Sequence, residues 1–257
     1  MSKKKKNQKA HLEMRDISME FNGFRALNNL NFSVTQGELR CLIGPNGAGK
    51  TTALDLICGK IKPTTGSIVL DDISLEDKDE HEIARIGIGR KFQIPSVFHQ
   101  LTVRENLYVA HSKQIGVFAN LMKFGQGSEK DRLEEVAEIV GLQDQMDNKA
   151  GYLSHGQTQW LEIALVLTQS PDVILMDEPT AGMTKGETKK TADLFNRLKG
   201  EHTLIVVEHD MGFIKEIGDV ISVMHQGTML AEGTVKEIES HPDVKEAYLG
   251  SGGITGA

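Results

Sequence analysis

The sequence predicts an α/β fold with an inserted helical block, and three observations carry that expectation. Short strand-like and helix-like segments alternate up to about residue 100 and again after residue 153. The buried-looking strand LRCLI (39–43) runs directly into GPNGAGKTT and then a helical LDLICG. Between about residues 100 and 150 the period changes: LTVRENLYVAHS and KDRLEEVAEIVGL have helical spacing and flank the glycine-containing GVFANLMKFGQGS. Apolar residues three to four apart mark a helix face, whereas short apolar runs bounded by turn residues mark strands.

In chain order, LEMRDISM (12–19), LNNLNFSV (27–34) and SIVL (67–70) read as strands, with Gly23, Gly37 and Gly66 as turn punctuation. After the helical block come helix WLEIALVL (160–167), strand VILM (173–176), helix ETKKTADLFNRLK (187–199), strand TLIVV (203–207) and helix MGFIKEIG (211–218). Strands VISVM (220–224) and TMLAEG (228–233) follow around a turn at Gln226-Gly227. Neither an internal repeat nor a low-complexity linker interrupts the series.

Composition excludes several classes. With 257 residues and 39% hydrophobic content, the chain can bury a sizeable core. A net charge of −7 argues against a general nucleic-acid binder, which needs a basic footprint. Cys41 and Cys58 lie in apolar surroundings and read as buried thiols in a reducing compartment. No stretch approaches the roughly 18 apolar residues that span a bilayer. The N-terminal MSKKKKNQKAH has no apolar region behind it, so it reads as a solvated, disordered basic tail over residues 1–10 rather than a signal peptide. A soluble, cytosolic chain is expected.

The first strong motif is Gly44-Pro45-Asn46-Gly47-Ala48-Gly49-Lys50-Thr51, with Thr52 after it, which matches G-x-x-x-x-G-K-[ST] between a strand and a helix. Glycines let successive N–H groups turn toward a phosphate, and the helix N-terminus adds its positive end. Lys50 can reach the β and γ phosphates, and the Thr51 hydroxyl can ligate Mg²⁺. The second motif is VILMDEPT (173–180), an apolar strand that delivers Asp177 and Glu178 at its C-terminal end. A Mg²⁺–phosphate centre needs one carboxylate near the metal and another free to orient water. Asp177 suits the first role and Glu178 the second.

LSHGQTQW (153–160) places Ser154 beside His155 ahead of a helix. A nucleophile with its base, a metal site, and a device for holding a ligand at a helix N-terminus are all open on that evidence. Adjacent side chains at a helix start diverge, which disfavours the first.

Further features select among nucleotide-hydrolysing classes: Gln93 in GRKFQIPSVF, LSHGQ beyond the helical block, His209 in LIVVEHDM, and the aromatic Phe21 ahead of the first strand pair in MEFNGFRAL. In this order they resemble the ATP-binding cassette (ABC) ATPases over residues 12–235. The resemblance implies a P-loop cassette with a RecA-like core, an antiparallel β subdomain and a helical subdomain inserted at about 94–165, all within one domain spanning 11–257. It implies ATP and Mg²⁺ as cofactors, with Phe21 stacking on adenine. Thr51, Gln93 and Asp177 would serve the metal. Glu178 would polarise water, His209 would contact the γ-phosphate, and Gln93 would sense both. LSHGQ would then be the family's signature sequence, in which Ser154, Gly156 and Gln157 grip ATP bound to an opposing subunit, while position 155 at the helix start can point its ring outward.

Without a membrane span, and with one cassette, the chain resembles a separate ATPase subunit of an importer. Transmembrane permease subunits and a second ATPase subunit, identical or paralogous, are the implied partners, with a periplasmic or extracellular solute-binding protein acting indirectly. The expected place is the cytoplasmic face of the cell membrane. IPSVFHQLTVRENLYVA, AGMT, VVEHDM and AYLG resemble the branched-chain amino acid importer family, and LSHGQ…QWLEIA…EPTAGMT…VVEHDM most resembles its urea-type member. His155, Trp160 and Thr184 depart from the residues many cassettes carry there: glycine, arginine and the aspartate that links the two ATP sites. The alternatives are a branched-chain amino acid importer and a non-transport cassette of DNA repair, chromosome structure or translation. Repair and chromosome cassettes need long coiled-coil arms between Gln93 and Leu153, and no sustained heptads occur there.

Overall fold

The computed structural model describes residues 10–91, 97–112 and 127–249. Strands β1 (Ala10–Phe21) and β2 (Phe24–Thr35) form a hairpin. Its turn is Asn22-Gly23, with φ of +48° and +86°, the pair of positive values that a tight two-residue hairpin demands. Strands β4 (Thr65–Leu70) and β5 (Ile73–Ser74) extend the hairpin into an antiparallel sheet of order β2-β1-β4-β5. Phe21, expected ahead of the first strand pair, is instead the last residue of β1, because the Asn-Gly turn closes immediately after it. Of the tail expected over residues 1–10, only Ala10 is described, and it opens β1.

The second sheet holds β3 (Leu39–Ile43), β6 (Ile88–Lys91), β7 (Val173–Asp177), β8 (Thr203–Val207), β9 (Val220–His225) and β10 (Thr228–Gly233). Their order is β10-β9-β3-β8-β7-β6, parallel except for the β9–β10 pair. Strands β3, β7 and β8 are buried along their whole length, as parallel strands covered on both faces are.

Alternation along those strands feeds two cores. Ile174, Met176, Leu204 and Val206 face a cluster with Leu107, Val136, Leu161 and Phe195. Val173, Leu175, Ile205 and Val207 face the other, with Leu12, Ile17, Leu30 and Leu54. The first cluster draws on helices α3 (Val103–Ser112), α4 (Gly127–Ile139), α5 (His155–Leu167) and α6 (Lys185–Leu198). The second joins the antiparallel sheet to α1 (Lys50–Ile57) and to Ile83 of α2 (Glu80–Ile86). Helices α7 (Met211–Ile217), α8 (Val235–Ser240) and α9 (Pro242–Leu249) complete the described chain. No helix among the described residues is long and apolar enough to cross a membrane.

Helix α5 starts five residues before the expected WLEIALVL, since Ser154 and Gln157 form a reciprocal capping box. Helix α2 and strands β5 and β6, all absent from the expectation, are too short or too polar to show a period.

Candidate active site

Strand β3 aims the phosphate loop. The chain leaves it at Gly44, with φ +152°, where a Cβ would stand 2.2 Å from the Met224 carbonyl oxygen. Only glycine lets the loop pass that close to β9. At the other end, Gly49 (φ +100°) is the N-cap of α1 and offers no side-chain cap, which leaves the first N–H groups of the helix available to an anion. The Lys50 ammonium folds back across the loop and donates to the carbonyls of Gly44 (2.7 Å) and Pro45 (3.0 Å). Burial lowers the Lys50 pKa, while the Asp177 and Glu178 carboxylates oppose that shift.

Asp177 ends β7 at 7% exposure, and the Thr51 hydroxyl donates to its Oδ2 at 3.2 Å. Burial pushes the Asp177 carboxyl above the usual range, against the Thr51 hydrogen bond. A hydroxyl and one anionic carboxylate suit a hard cation that takes its remaining ligands from phosphate and water. No cluster of three or more His, Cys, Asp or Glu side chains competes for a metal among the described residues. Thr51 and Asp177 therefore fit Mg²⁺.

Glu178 has φ +48°, a conformation unusual for a non-glycine residue, costing about 1–3 kcal/mol. Its N–H donates to the Val207 carbonyl at 2.9 Å, and its exposed side chain places Oε1 3.5 Å from His209 Nδ1. The structure thus brings Lys50, Thr51, Asp177, Glu178 and His209 around one end of the parallel sheet. Gln93 lies outside the described residues. Phe21 is 43% exposed at the hairpin end, and its cross-strand partner Phe24 is 68% exposed. Two residues on from Phe24, the Ala26 carbonyl lies against Gly49.

The LSHGQ residues form a separate station. Ser154 Oγ accepts from the Gln157 N–H, and the Gln157 side chain accepts from the Ser154 N–H (2.9 Å). Gly156 is buried against Glu187 of α6, whose Oε1 would stand 2.3 Å from a Cβ at 156. His155 is exposed, in keeping with an outward ring, but the ring also makes a contact within the chain. Its Nε2 lies 2.9 Å from the Ala181 carbonyl, where it acts as donor, because that loop passes directly over the helix start. Among the described residues, no hydrogen bond of Ser154 reaches the phosphate loop of the same chain.

Two groups escaped the sequence reading. Glu208, beside His209, is 2% exposed and accepts hydrogen bonds from Thr180 and His209. Glu187 caps α6 through Thr184 and touches Ser154. A T-x-x-E spacing at 184–187 was a visible cap signal; the Thr180–Glu208 contacts join segments 28 residues apart and leave no local trace.

Known proteins resemble the chain over most of its length. Residues 27–181 match the family model described as ABC transporter, and residues 228–254 match one described as branched-chain amino acid ATP-binding cassette transporter. The chain is 40% identical over 248 residues to the high-affinity branched-chain amino acid transport ATP-binding protein LivG of Escherichia coli, covering 93% of this chain and 97% of the relative. Identity to the corresponding BraF protein of Pseudomonas aeruginosa is 38% over 248 residues, with the same 93% and 97% coverage. A crystal structure of the ADP conformation of an ABC transporter cassette superposes with a TM-score of 0.84 at 30% identity, covering 94% of this chain and 99% of that one. The dimeric post-hydrolysis state of another cassette, bound to ADP and Pi, gives 0.74 at 28% identity, covering 87% and 98%.

Proposed function

The chain belongs to the ABC transporter family, as an ATP-hydrolysing subunit of the branched-chain amino acid importer type, and from that premise we propose how its residues divide the work. The observation that carries the proposal is the convergence of Lys50, Thr51, Asp177, Glu178 and His209 at the mouth of the phosphate loop. Loop N–H groups between Asn46 and Thr52 cradle the phosphates, and Lys50 leaves its two carbonyl acceptors to bind them. Thr51 and Asp177, with Gln93, would hold Mg²⁺, which supplies charge neutralisation on the phosphates when bound. Glu178 accepts a proton from the attacking water, and His209 contacts the γ-phosphate. Positioning and fixed charge, rather than covalent chemistry, carry the catalysis. Phe21 stacks on adenine.

Ser154, Gly156 and Gln157 serve ATP held by a second ATPase subunit. The cap geometry supports this, since a helix start with a small residue offers N–H groups and a hydroxyl to an anion. ATP then favours the closed dimer because it adds contacts there alone. We read residues 11–257 as one cassette following a basic tail, with the helical insertion at about 94–165. Permease subunits dock near residues 93–101; Phe98, 52% exposed beside buried Val97, supports that placement. Phe98→Asp should release the chain from its membrane partners and leave ATP binding intact; assembly that survives the change removes Phe98 from the contact.

The cargo we propose is a small amino acid or amide. The names of the relatives favour branched-chain amino acids. Urea remains a second reading, carried by the combination of LSHGQ, QWLEIA and EPTAGMT in this sequence. Uptake of labelled leucine and labelled urea, with and without this chain, separates the two.

A further inference from the structure

We propose that Glu208 is a positioning residue that sets the distance between Glu178 and His209 by tying the turns that carry them to one buried carboxylate. The inference rests on the catalytic roles proposed above for those two residues.

Glu208 follows β8 and is 2% exposed. An ionised carboxylate offers acceptor sites on both oxygens, and here each oxygen serves a different turn. Oε1 accepts from the Thr180 N–H (3.1 Å) and the Thr180 hydroxyl (2.5 Å), two residues after Glu178. Oε2 accepts from the His209 N–H (3.0 Å) and, at longer range, the Asp210 N–H (3.5 Å). A third tie runs beside them, from the Glu178 N–H to the Val207 carbonyl (2.9 Å). Together these bonds hold two otherwise separate loops so that Glu178 Oε1 and His209 Nδ1 sit 3.5 Å apart.

Burying a carboxylate is costly unless its hydrogen bonds are made, so an apolar residue would be the cheaper way merely to fill this space. What an apolar residue lacks is two acceptors facing opposite loops. Glutamine has the same shape but only one acceptor end. Whichever way its amide turns, an NH₂ group faces N–H donors of one loop, and that loop is released.

The test uses the full chain, with steady-state ATPase, equilibrium ATP binding and thermal unfolding on each variant. Glu208→Gln should lower kcat by roughly tenfold to a hundredfold, the scale of an ångström-sized misplacement, with the KM for ATP within about twofold of the parent. In a Glu178→Gln background the same change should add no further loss. A folded Glu208→Gln protein with parental kcat, or with losses that multiply with those of Glu178→Gln, would overturn the proposal. Thr180→Val removes only the hydroxyl donor and carries the test if Glu208→Gln does not fold: a lower kcat at an unchanged melting temperature supports the role, and a parental kcat overturns it. Parental rates in Glu178→Gln and His209→Ala would sink the catalytic reading itself. Loss in those two beside a parental rate in Glu208→Gln would sink this proposal alone.

Discussion

The Ser154 hydroxyl lies 3.3 Å from Glu187 Oε1, which sets a carboxylate of α6 at the N-terminus of α5. Thr184 donates to the other oxygen through its N–H (2.9 Å) and hydroxyl (2.8 Å). The Thr184 N–H holds the Glu187 carboxyl below its usual range, so it is ionised at neutral pH. In the closed dimer proposed above, this is where the γ-phosphate of the opposing subunit arrives. Glu187→Gln keeps the capping box, which accepts glutamine, and removes the competing charge. ATP-driven dimerisation should then need roughly two- to fivefold less ATP, measured by light scattering in a Glu178→Gln background. A higher ATP requirement would make Glu187 a contributor to phosphate binding instead.

His155 spans the same junction, with its ring against Ala181 and Gly182. His155→Gly is expected to cost about 0.5–1.5 kcal/mol in urea unfolding, the net worth of one hydrogen bond. The LSHGQ segment and the loop after Glu178 are thereby joined within one chain, and a substitution with no effect on stability would show the contact to be incidental.

Lys91 and Glu162 form a buried ion pair, 3.4 Å apart, between the end of β6 and α5. Burial lowers the Lys91 pKa and raises that of Glu162, each held back by the other's charge. Lys91→Met strands the carboxylate and should cost about 3–5 kcal/mol in urea unfolding. Adding Glu162→Leu to that variant should recover most of the loss. Equal destabilisation in the single and double variants would mean that the pair's geometry, not its charge balance, matters.

Asp177 gives a pH dependence of known sign. Its folded pKa is raised by burial, so protonation on acidification relieves a buried charge, and its contribution to the stability of the nucleotide-free fold grows as pH falls. Protons and Mg²⁺ compete for the same oxygens, so Mg²⁺-dependent ATP affinity should fall with the pH, beginning above the ordinary aspartate range. Asp177→Asn should bind MgATP more weakly and with a flat profile through that window. The same slope in Asp177→Asn and parent would assign the titration to another group.

The strands that carry function were legible because parallel strands buried on both faces write themselves as apolar runs: LRCLI, VILM and TLIVV were all visible. The phosphate loop and the Asp177-Glu178 pair were legible because their chemistry is local in sequence. Strand β6 was not, since IGRK mixes two buried cations into four residues that carry no period. Helices α2 and α8 announce themselves only through D-x-x-E and T-x-x-E caps at Asp79–Glu82 and Thr234–Glu237. Contacts such as Thr180–Glu208 and Ser154–Glu187 depend on the fold bringing distant turns together. The hydrogen bond from the His155 ring left no trace in the sequence for the same reason: the loop that accepts it lies 26 residues away.

The most direct measurement of the proposed chemistry is steady-state ATP hydrolysis by the full chain carrying Glu178→Gln, with MgATP binding and oligomeric state followed on the same protein. Loss of the water-orienting carboxylate should reduce kcat by roughly 10²–10⁴-fold, the usual worth of a general base, with near-parental MgATP binding and accumulation of a dimer. Hydrolysis at the parental rate by a Glu178→Gln protein that binds MgATP would contradict the role of Glu178.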